Sequence, residues 1–418
     1  MKNIEIIGGR QLSGVCRVQG AKNAVLPILA GSILSNGKTT INDCPSLSDV
    51  HSAFNILKNL GCKVEFTQNS AQVNAFDVNC HVIPDSLMRE MRSSIMFLGA
   101  IISRCKEARI SSRPGGCDIG SRPIDIHLKA FRELGVNIIE TSNHIYCELN
   151  GKIRGGEVEL SFPSVGATEN IMLLTAKSDT VTIISNAAKE PEIVDLQNFL
   201  NSMGAQISGA GTENITITGV SSLHSTTYSV IPDGIAAATY LCAAAGCGGK
   251  ITLENVIPQH IEMVISTLLV AGCNINQTEN SITLTSDGKL KAVPGIKTAP
   301  HPGFPTDAQA LIMAMLAKSD GTTIFIENLF ESRFKHIVEL QKMGANIAQF
   351  NNVAALQGVQ NLVGAEVSAT DLRGGAALVI AGLVAKDKTI IDNTLHIDRG
   401  YENIVRDLEQ LGANIRRI

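Results

Sequence analysis

Leu340-Gln-Lys-Met-Gly344-Ala-Asn-Ile347 and Leu408-Glu-Gln-Leu-Gly412-Ala-Asn-Ile415 are nearly the same phrase, and the chain writes it six times. The other copies are Leu57-Lys-Asn-Leu-Gly61-Cys-Lys-Val64, Phe131-Arg-Glu-Leu-Gly135-Val-Asn-Ile138, Phe199-Leu-Asn-Ser-Met-Gly204-Ala-Gln-Ile207 and Leu268-Leu-Val-Ala-Gly272-Cys-Asn-Ile275. Successive glycines lie 74, 69, 68, 72 and 68 residues apart. A fixed period of this length marks one supersecondary unit used repeatedly. Each phrase reads as the end of an amphipathic helix, a glycine C′ cap and a strand.

Upstream of each phrase lies a second helical segment with little charge: Ala21–Leu34, Ser93–Ser103, Ala167–Ala176, Gly234–Ala245, Asp307–Ala317 and Leu372–Ala385. A helix that is apolar all round is a buried helix. A β-branched segment follows each: Thr39–Asn42, Ala108–Ser111, Thr180–Ser185, Lys250–Leu253, Thr322–Glu327 and Thr389–Ile391. Two more strands usually close a unit, as Lys63–Phe66 and Ala71–Asn74 do. The repeat predicts strand, buried helix, strand, exposed helix, strand, strand. The fold expected is α+β, with helices inside and sheets outside. At 418 residues two domains of three units each are expected. The spare N-terminal strands, Asn3–Ile7 and Gly14–Val18, close on the last unit in the simplest arrangement. The domains would be 22–231, and 1–21 with 232–418, joined by two crossings with a hinged cleft between them.

A net charge of −4 does not suggest nucleic-acid or membrane-surface binding. No stretch approaches the roughly 20 apolar residues of a membrane span, and the N-terminus lacks a signal-peptide core. Cytosolic residence is the expectation. The ten cysteines include no Cys-x-x-Cys pair, which argues against a structural zinc site. Most sit in apolar runs, where a free thiol behaves as a small hydrophobe.

Chemistry is sought where the repeat breaks. The buried helices begin at Gln19-Gly-Ala-Lys22-Asn23, Arg89-Glu-Met-Arg92, Pro163-Ser164-Val165-Gly166, Pro232-Asp233-Gly234, Pro305-Thr306-Asp307 and Asp371-Leu-Arg373. Polar groups at helix N-termini, beside Lys22, Arg92, Arg122 and Arg399, suit a multiply anionic ligand. Plain N-capping is the alternative for Asp233 and Asp371, but it accounts for neither Lys22 nor Arg92. Arg113-Pro-Gly-Gly-Cys117-Asp-Ile-Gly120-Ser-Arg122-Pro123 is a loop with one thiol among arginines, a setting that favours a reactive thiolate. Such a Cys can be a nucleophile or a general acid. His301-Pro-Gly-Phe-Pro305 leads rigidly to Asp307, which could cap its helix, act as a base, or both; His301 reads as a loop histidine.

Together these segments resemble the UDP-N-acetylglucosamine enolpyruvyl transferases. The resemblance runs the length of the chain, through Gly20-Ala-Lys22-Asn23, the Cys117 loop with Ile124-Asp125-Ile126-His127, Ser164-Val165-Gly166-Ala-Thr-Glu-Asn, Glu190-Pro-Glu192, Phe304-Pro-Thr-Asp307, Asp371-Leu-Arg373 and His396-Ile-Asp-Arg399-Gly-Tyr. It implies the inside-out α/β barrel of that family, two domains of three repeats. It also implies transfer of the enolpyruvyl group of phosphoenolpyruvate to the 3′-hydroxyl of UDP-N-acetylglucosamine by addition and elimination, in the first committed step of bacterial peptidoglycan synthesis, with no metal or organic cofactor. By match, Cys117 is the general acid and the target of fosfomycin, and Asp307 is the proposed base. Lys22, Arg122 and Arg399 clamp phosphoenolpyruvate with Asn23 beside them. Arg92, Arg122, Pro123, Ile124, Asp125, Ile126, Ser164, Val165, Gly166, Asp307 and Leu329 surround the sugar nucleotide. Gly234-Ile-Ala236 stands where that family more often has Arg-Ile-Glu, which argues against side-chain roles at 234 and 236 and leaves Asp233. A monomer acting on small molecules is expected. The 3-phosphoshikimate 1-carboxyvinyltransferases share the chemistry but not the Cys117 loop or the Ser164 entry. A non-catalytic nucleotide-sugar sensor would have no need of thiol, base and clamp together.

Overall fold

The computed structural model describes residues 3–112, 115 and 124–418, and of Arg92 the backbone alone. All six repeated glycines have left-handed backbone, with φ between 87° and 105°. Each forms the same pair of terminal bonds. In the first repeat the Gly61 N–H donates to Lys58 O (3.1 Å) and the Cys62 N–H to Leu57 O (2.9 Å). In the last, the Gly412 N–H donates to Glu409 O (2.9 Å) and the Ala413 N–H to Leu408 O (3.0 Å). These are Schellman ends, and glycine recurs there because a Cβ is disfavoured at positive φ.

The chain forms two compact units, residues 3–19 with Pro232–Ile418, and the described residues between Gly20 and Ile231. In the first, the helices Gly234–Cys247, Thr306–Met315 and Leu372–Val384 pack on one another. Every residue of Leu372–Val384 is buried. The outer helices Glu262–Val270, His336–Lys342 and Ile404–Gln410 are buried on one face. Three four-stranded sheets enclose the buried helices. One runs Glu366–Ser368, Lys388–Asp392, Ile4–Ile7, Asn414–Arg417, so the N-terminal strand completes the sixth repeat. It holds the place of Val353–Gln357 in the sheet Gly295–Lys297, Thr322–Ile326, Val353–Gln357, Asn346–Phe350. The second spare strand differs from expectation. Leu12–Arg17 pairs in parallel with Gly249–Glu254 of the fourth repeat, whereas Thr227–Ser229 pairs in parallel with Lys38–Asn42 of the first. Each strand entering the first or fourth buried helix thus lies in the other unit's sheet, which requires two crossings. There the Ala21 N–H donates to Ile231 O (2.8 Å) and the Asp233 N–H to Gln19 O (2.9 Å).

The second unit repeats the plan with helices Lys22–Gly31, Phe97–Cys105 and Val165–Thr175 inside and Ser48–Asn59, Asp125–Glu133 and Pro191–Ser202 outside. The helix expected from Ser93 begins instead as a 3₁₀ turn, Arg92–Met96. The sheet Glu107–Ser111, His144–Glu148, Asn137–Glu140 has three strands among the described residues, with a single bridge from Val82 to Arg109 in place of the fourth. Among the described residues, no helix is long and apolar enough to cross a membrane.

Candidate active site

Asp307 lies in the first turn of Thr306–Met315 but does not cap it; Pro305 precedes the helix and no side chain accepts its first N–H groups. The carboxylate is held by two buried guanidiniums instead. Arg333 donates to Oδ1 (2.6 Å), and Arg373 donates to Oδ2 through Nη2 (3.0 Å) and Nε (3.1 Å). The side chains of Arg333 and Arg373 are 3% and 2% exposed, and that of Asp307 is 27% exposed. Burial works against the Arg373 charge, but the Asp307 carboxylate together with Tyr401 and Asp233 outweighs it, and the net shift of its pKa is upward. Arg373 Nη1 also donates to the Tyr401 hydroxyl (3.2 Å), which bonds Thr239 (2.7 Å) on a neighbouring buried helix. The result is a fixed carboxylate with a partly accessible edge, suited to orient a hydroxyl and take its proton.

The capping alternative holds at the two other entries. Asp371 Oδ1 accepts the N–H groups of Arg373 and Gly374 (3.0 Å each). Asp233 Oδ1 accepts those of Ile235 and Ala236 (2.9 Å each). At Gly234 a Cβ would meet Ile261 Cγ2 at 2.7 Å, so Ile261 occupies the space beside that backbone.

Beside Asp371 and Arg333 lies the fully buried His336, whose pKa is lowered from 6.5 to about 4 by burial, with Asp371 opposing and Arg333 adding to the shift. A depressed histidine pKa means that between those values the unfolded chain binds a proton the folded chain does not. Its contribution to stability is complete above pH 6.5 and is lost as pH falls toward 4. Urea unfolding should show the folded state weaker at pH 5 than at pH 7 by about 2 kcal/mol, and His336→Leu should remove that part of the slope.

Arg399 ends the 3₁₀ turn Thr394–Arg399 and is half-buried. Asp398 beside it is paired with Arg417 of the last strand. The turn is also tied to the N-terminal segment: Gln19 Nε2 donates to Gly400 O (3.0 Å), and Gln19 Oε1 accepts the Glu402 N–H (2.9 Å). Leu329 is half-buried in the loop after Thr322–Ile326.

In the second unit Lys22 begins its buried helix and pairs with Asp49 on the outer helix Ser48–Asn59 (2.7 Å), both nearly enclosed. Asn23, the next residue, is exposed. Ser164 caps Val165–Thr175 by accepting the Ala167 N–H (3.3 Å). A Cβ on Gly166 would meet the His127 ring at 3.1 Å, so glycine lets that ring lie against the helix entry. The motif Ile124-Asp125-Ile126-His127 is brought to Ser164-Val165-Gly166 in this way. Asn170 joins a third segment to them. Its Nδ2 lies 3.0 Å from His127 Nδ1 and 3.1 Å from Ile95 O, and its Oδ1 accepts the Gly99 N–H (2.8 Å), fixing the turn that Arg92 begins. Glu169, fully buried on the same helix, has a raised pKa through burial, with Glu192 and Glu190 adding to it, so one further motif segment, Glu190-Pro-Glu192, lies near it.

Cys117, Arg122 and Pro123 lie outside the described residues. Gly115, before them, donates to Met88 O (2.8 Å), and a Cβ there would lie 1.8 Å from Arg89 O. Sequence reasoning missed Arg333, Asp49 and the role of Asn170. Arg333 alone carried a signal, a cation close to Phe330 and Phe334 in the turn before the outer helix His336–Lys342.

The chain matches the family model for EPSP synthase (3-phosphoshikimate 1-carboxyvinyltransferase) over residues 6–408. It is 51% identical over 418 residues to UDP-N-acetylglucosamine 1-carboxyvinyltransferase 2 of Caldanaerobacter subterraneus subsp. tengcongensis, with 100% of both chains covered. It is 46% identical over 421 residues to the protein of the same name from Carboxydothermus hydrogenoformans, again over 100% of both. Among solved structures, the enolpyruvyl transferase NikO from Streptomyces tendae superposes with a TM-score of 0.87 at 25% identity, covering 100% of this chain and 98% of that one. An EPSP synthase from Acinetobacter baumannii gives 0.76 at 17% identity over 100% of both, which shows the fold alone. The chain belongs to the enolpyruvyl (1-carboxyvinyl) transferase family that the EPSP synthase model describes.

Proposed function

We propose that this protein transfers the enolpyruvyl group of phosphoenolpyruvate to the 3′-hydroxyl of UDP-N-acetylglucosamine and releases phosphate. The observation that carries the reading is the full-length match, at 51% identity, to a relative named for this acceptor. The Asp307 geometry supports it. The carboxylate, fixed by Arg333 and Arg373, takes the hydroxyl proton as the sugar oxygen adds to C2 of phosphoenolpyruvate. Cys117 delivers a proton to the methylene carbon. Loss of phosphate and of one methyl proton from the tetrahedral adduct then restores the double bond. Lys22, Arg122 and Arg399 hold the phosphate and carboxylate, with Asn23 beside them. Arg92, Ile124 to Ile126, Ser164 to Gly166 and Leu329 hold the sugar nucleotide. The reading places the protein in the bacterial cytoplasm, as a monomer, in peptidoglycan synthesis and so in cell shape and division.

The test is phosphate release from phosphoenolpyruvate with UDP-N-acetylglucosamine and, separately, with shikimate 3-phosphate. Release with the first, inhibition by fosfomycin and a mass increment on the Cys117 peptide are expected. Release with shikimate 3-phosphate alone would overturn the acceptor, and binding of the sugar nucleotide without turnover would favour a sensor.

A further inference from the structure

In four of the six repeats the strand after the buried helix is followed by an Asn or Asp in left-handed backbone: Asp43, Asn186, Asn255 and Asn393, with φ between 52° and 55°. The three asparagines donate to the extension of the neighbouring parallel strand: Asn186 to Leu160 O (2.7 Å), Asn255 to Val18 O (2.8 Å) and Asn393 to Ala369 O (3.0 Å). The fifth repeat breaks this rule. The Thr298 N–H donates to Ile326 O (3.0 Å), as the Ala369 N–H donates to Asp392 O (3.2 Å), so Glu327 stands where Asn393 stands in the sixth. The asparagine comes one residue late, and Asn328 donates to Thr298 O (3.1 Å). Glu327 is therefore an added residue in the repeat, and it ends the strand one residue earlier than the sequence predicts.

Its side chain is buried (3% exposed) and fully engaged. Oε1 accepts the Thr298 hydroxyl (2.9 Å) and the N–H groups of Leu329 (2.9 Å) and Phe330 (3.2 Å). Oε2 accepts the hydroxyl of Thr306 (3.0 Å), the residue before Asp307. Burying a carboxylate away from water requires donors on its oxygens. Here the donors come from the loop of Leu329 and from the helix entry of Asp307.

We infer that Glu327 is a positioning residue that locks the Leu329 loop to the Asp307 helix entry, and so sets the acceptor sugar relative to its base without touching substrate. This rests on the reading of Leu329 and Asp307 given under the proposed function. A carboxylate that merely stabilised the loop would lower folding stability and leave the two substrates equally affected. A positioning group separates them, because neither segment it joins carries Lys22 or Arg399.

The test uses the full chain with Glu327→Ala, Glu327→Gln and Thr306→Val. For Glu327→Ala we expect KM for UDP-N-acetylglucosamine to rise about tenfold and kcat to fall about tenfold, each equivalent to ~1.4 kcal/mol, with KM for phosphoenolpyruvate within about twofold. Glu327→Gln keeps an acceptor for both amides and should recover most of both. Thr306→Val removes only the helix-entry bond and should lower kcat while sparing both KM values, which keeps the inference testable if Glu327→Ala fails to fold. Equal rises in both KM values, wild-type kinetics for Glu327→Ala, or a Gln variant as impaired as Ala would overturn it. If the wild type turns over another acceptor instead, the proposed function falls, and the same split read with that acceptor decides Glu327. If it turns over none, amide exchange decides. Exchange faster by tenfold or more at Leu329 and Phe330 in Glu327→Ala, with Thr322–Ile326 unchanged, supports the lock, and unchanged exchange overturns it.

Discussion

Asp307→Asn should lower kcat for phosphate release by about 10²- to 10⁴-fold, the usual worth of a positioned general base. The amide keeps the shape of the side chain but cannot accept the sugar hydroxyl's proton. It also takes the nearest carboxylate from Arg333 and Arg373, both nearly enclosed, and leaves Arg333 only the more distant Asp371 at 4.0 Å. Removing one partner of a buried ion pair typically costs ~3–5 kcal/mol, so the unfolding midpoint should fall as well. Asp307→Glu separates the two effects. It restores the charge and much of the stability, but its extra methylene displaces the accepting oxygen, and a misplacement of about 1 Å can cost ~10²-fold in rate. Calorimetry should show UDP-N-acetylglucosamine still binding to the Glu variant. Near wild-type turnover by Asp307→Asn would remove Asp307 from the role of base.

The repeat was legible because its decisive features are local. A glycine C′ cap is written in a few residues, and the same phrase produced six Schellman ends. The buried helices were legible from composition, since a segment apolar all round has nowhere else to go. The partners of the parallel edge strands were not legible. Leu12–Arg17 and Thr227–Ser229 have similar local signals, and which sheet each joins is decided by packing hundreds of residues away. The site divided in the same way. Asp307, Lys22 and the Ser164 entry stood out as polar groups opening greasy helices. Arg333, Asp49 and Asn170 did not, because each acts through a partner distant in sequence: Asp307, Lys22, and His127 with Gly99. A buried polar residue looks from sequence like an ordinary surface one until its partner is in view. Asp307 itself shows the limit: position alone allowed a cap, and only the two guanidiniums show its carboxylate engaged elsewhere.

Lys22→Gln should lower kcat/KM for phosphoenolpyruvate by about 10²- to 10³-fold, the scale for losing one preorganised group that meets developing charge. Lys22 reaches Asp49 at 2.7 Å, with side-chain exposures of 9% and 3%, so the lysine has two duties: it balances a buried carboxylate and it presents a cation at a helix N-terminus. The duties can be separated by a double-mutant cycle. Each single change, Lys22→Gln or Asp49→Asn, leaves one charge of an enclosed pair behind and should cost ~3–5 kcal/mol of stability. The double variant leaves two neutral amides and should recover much of that loss. Turnover should not follow stability. The double variant should stay as slow as Lys22→Gln, because an amide carries no charge to hold phosphoenolpyruvate, whereas Asp49→Asn should stay faster than both. KM for UDP-N-acetylglucosamine should change little across the cycle. Recovery of turnover in the double variant, in step with its melting temperature, would reduce Lys22 to a structural residue and remove it from the proposed anion clamp.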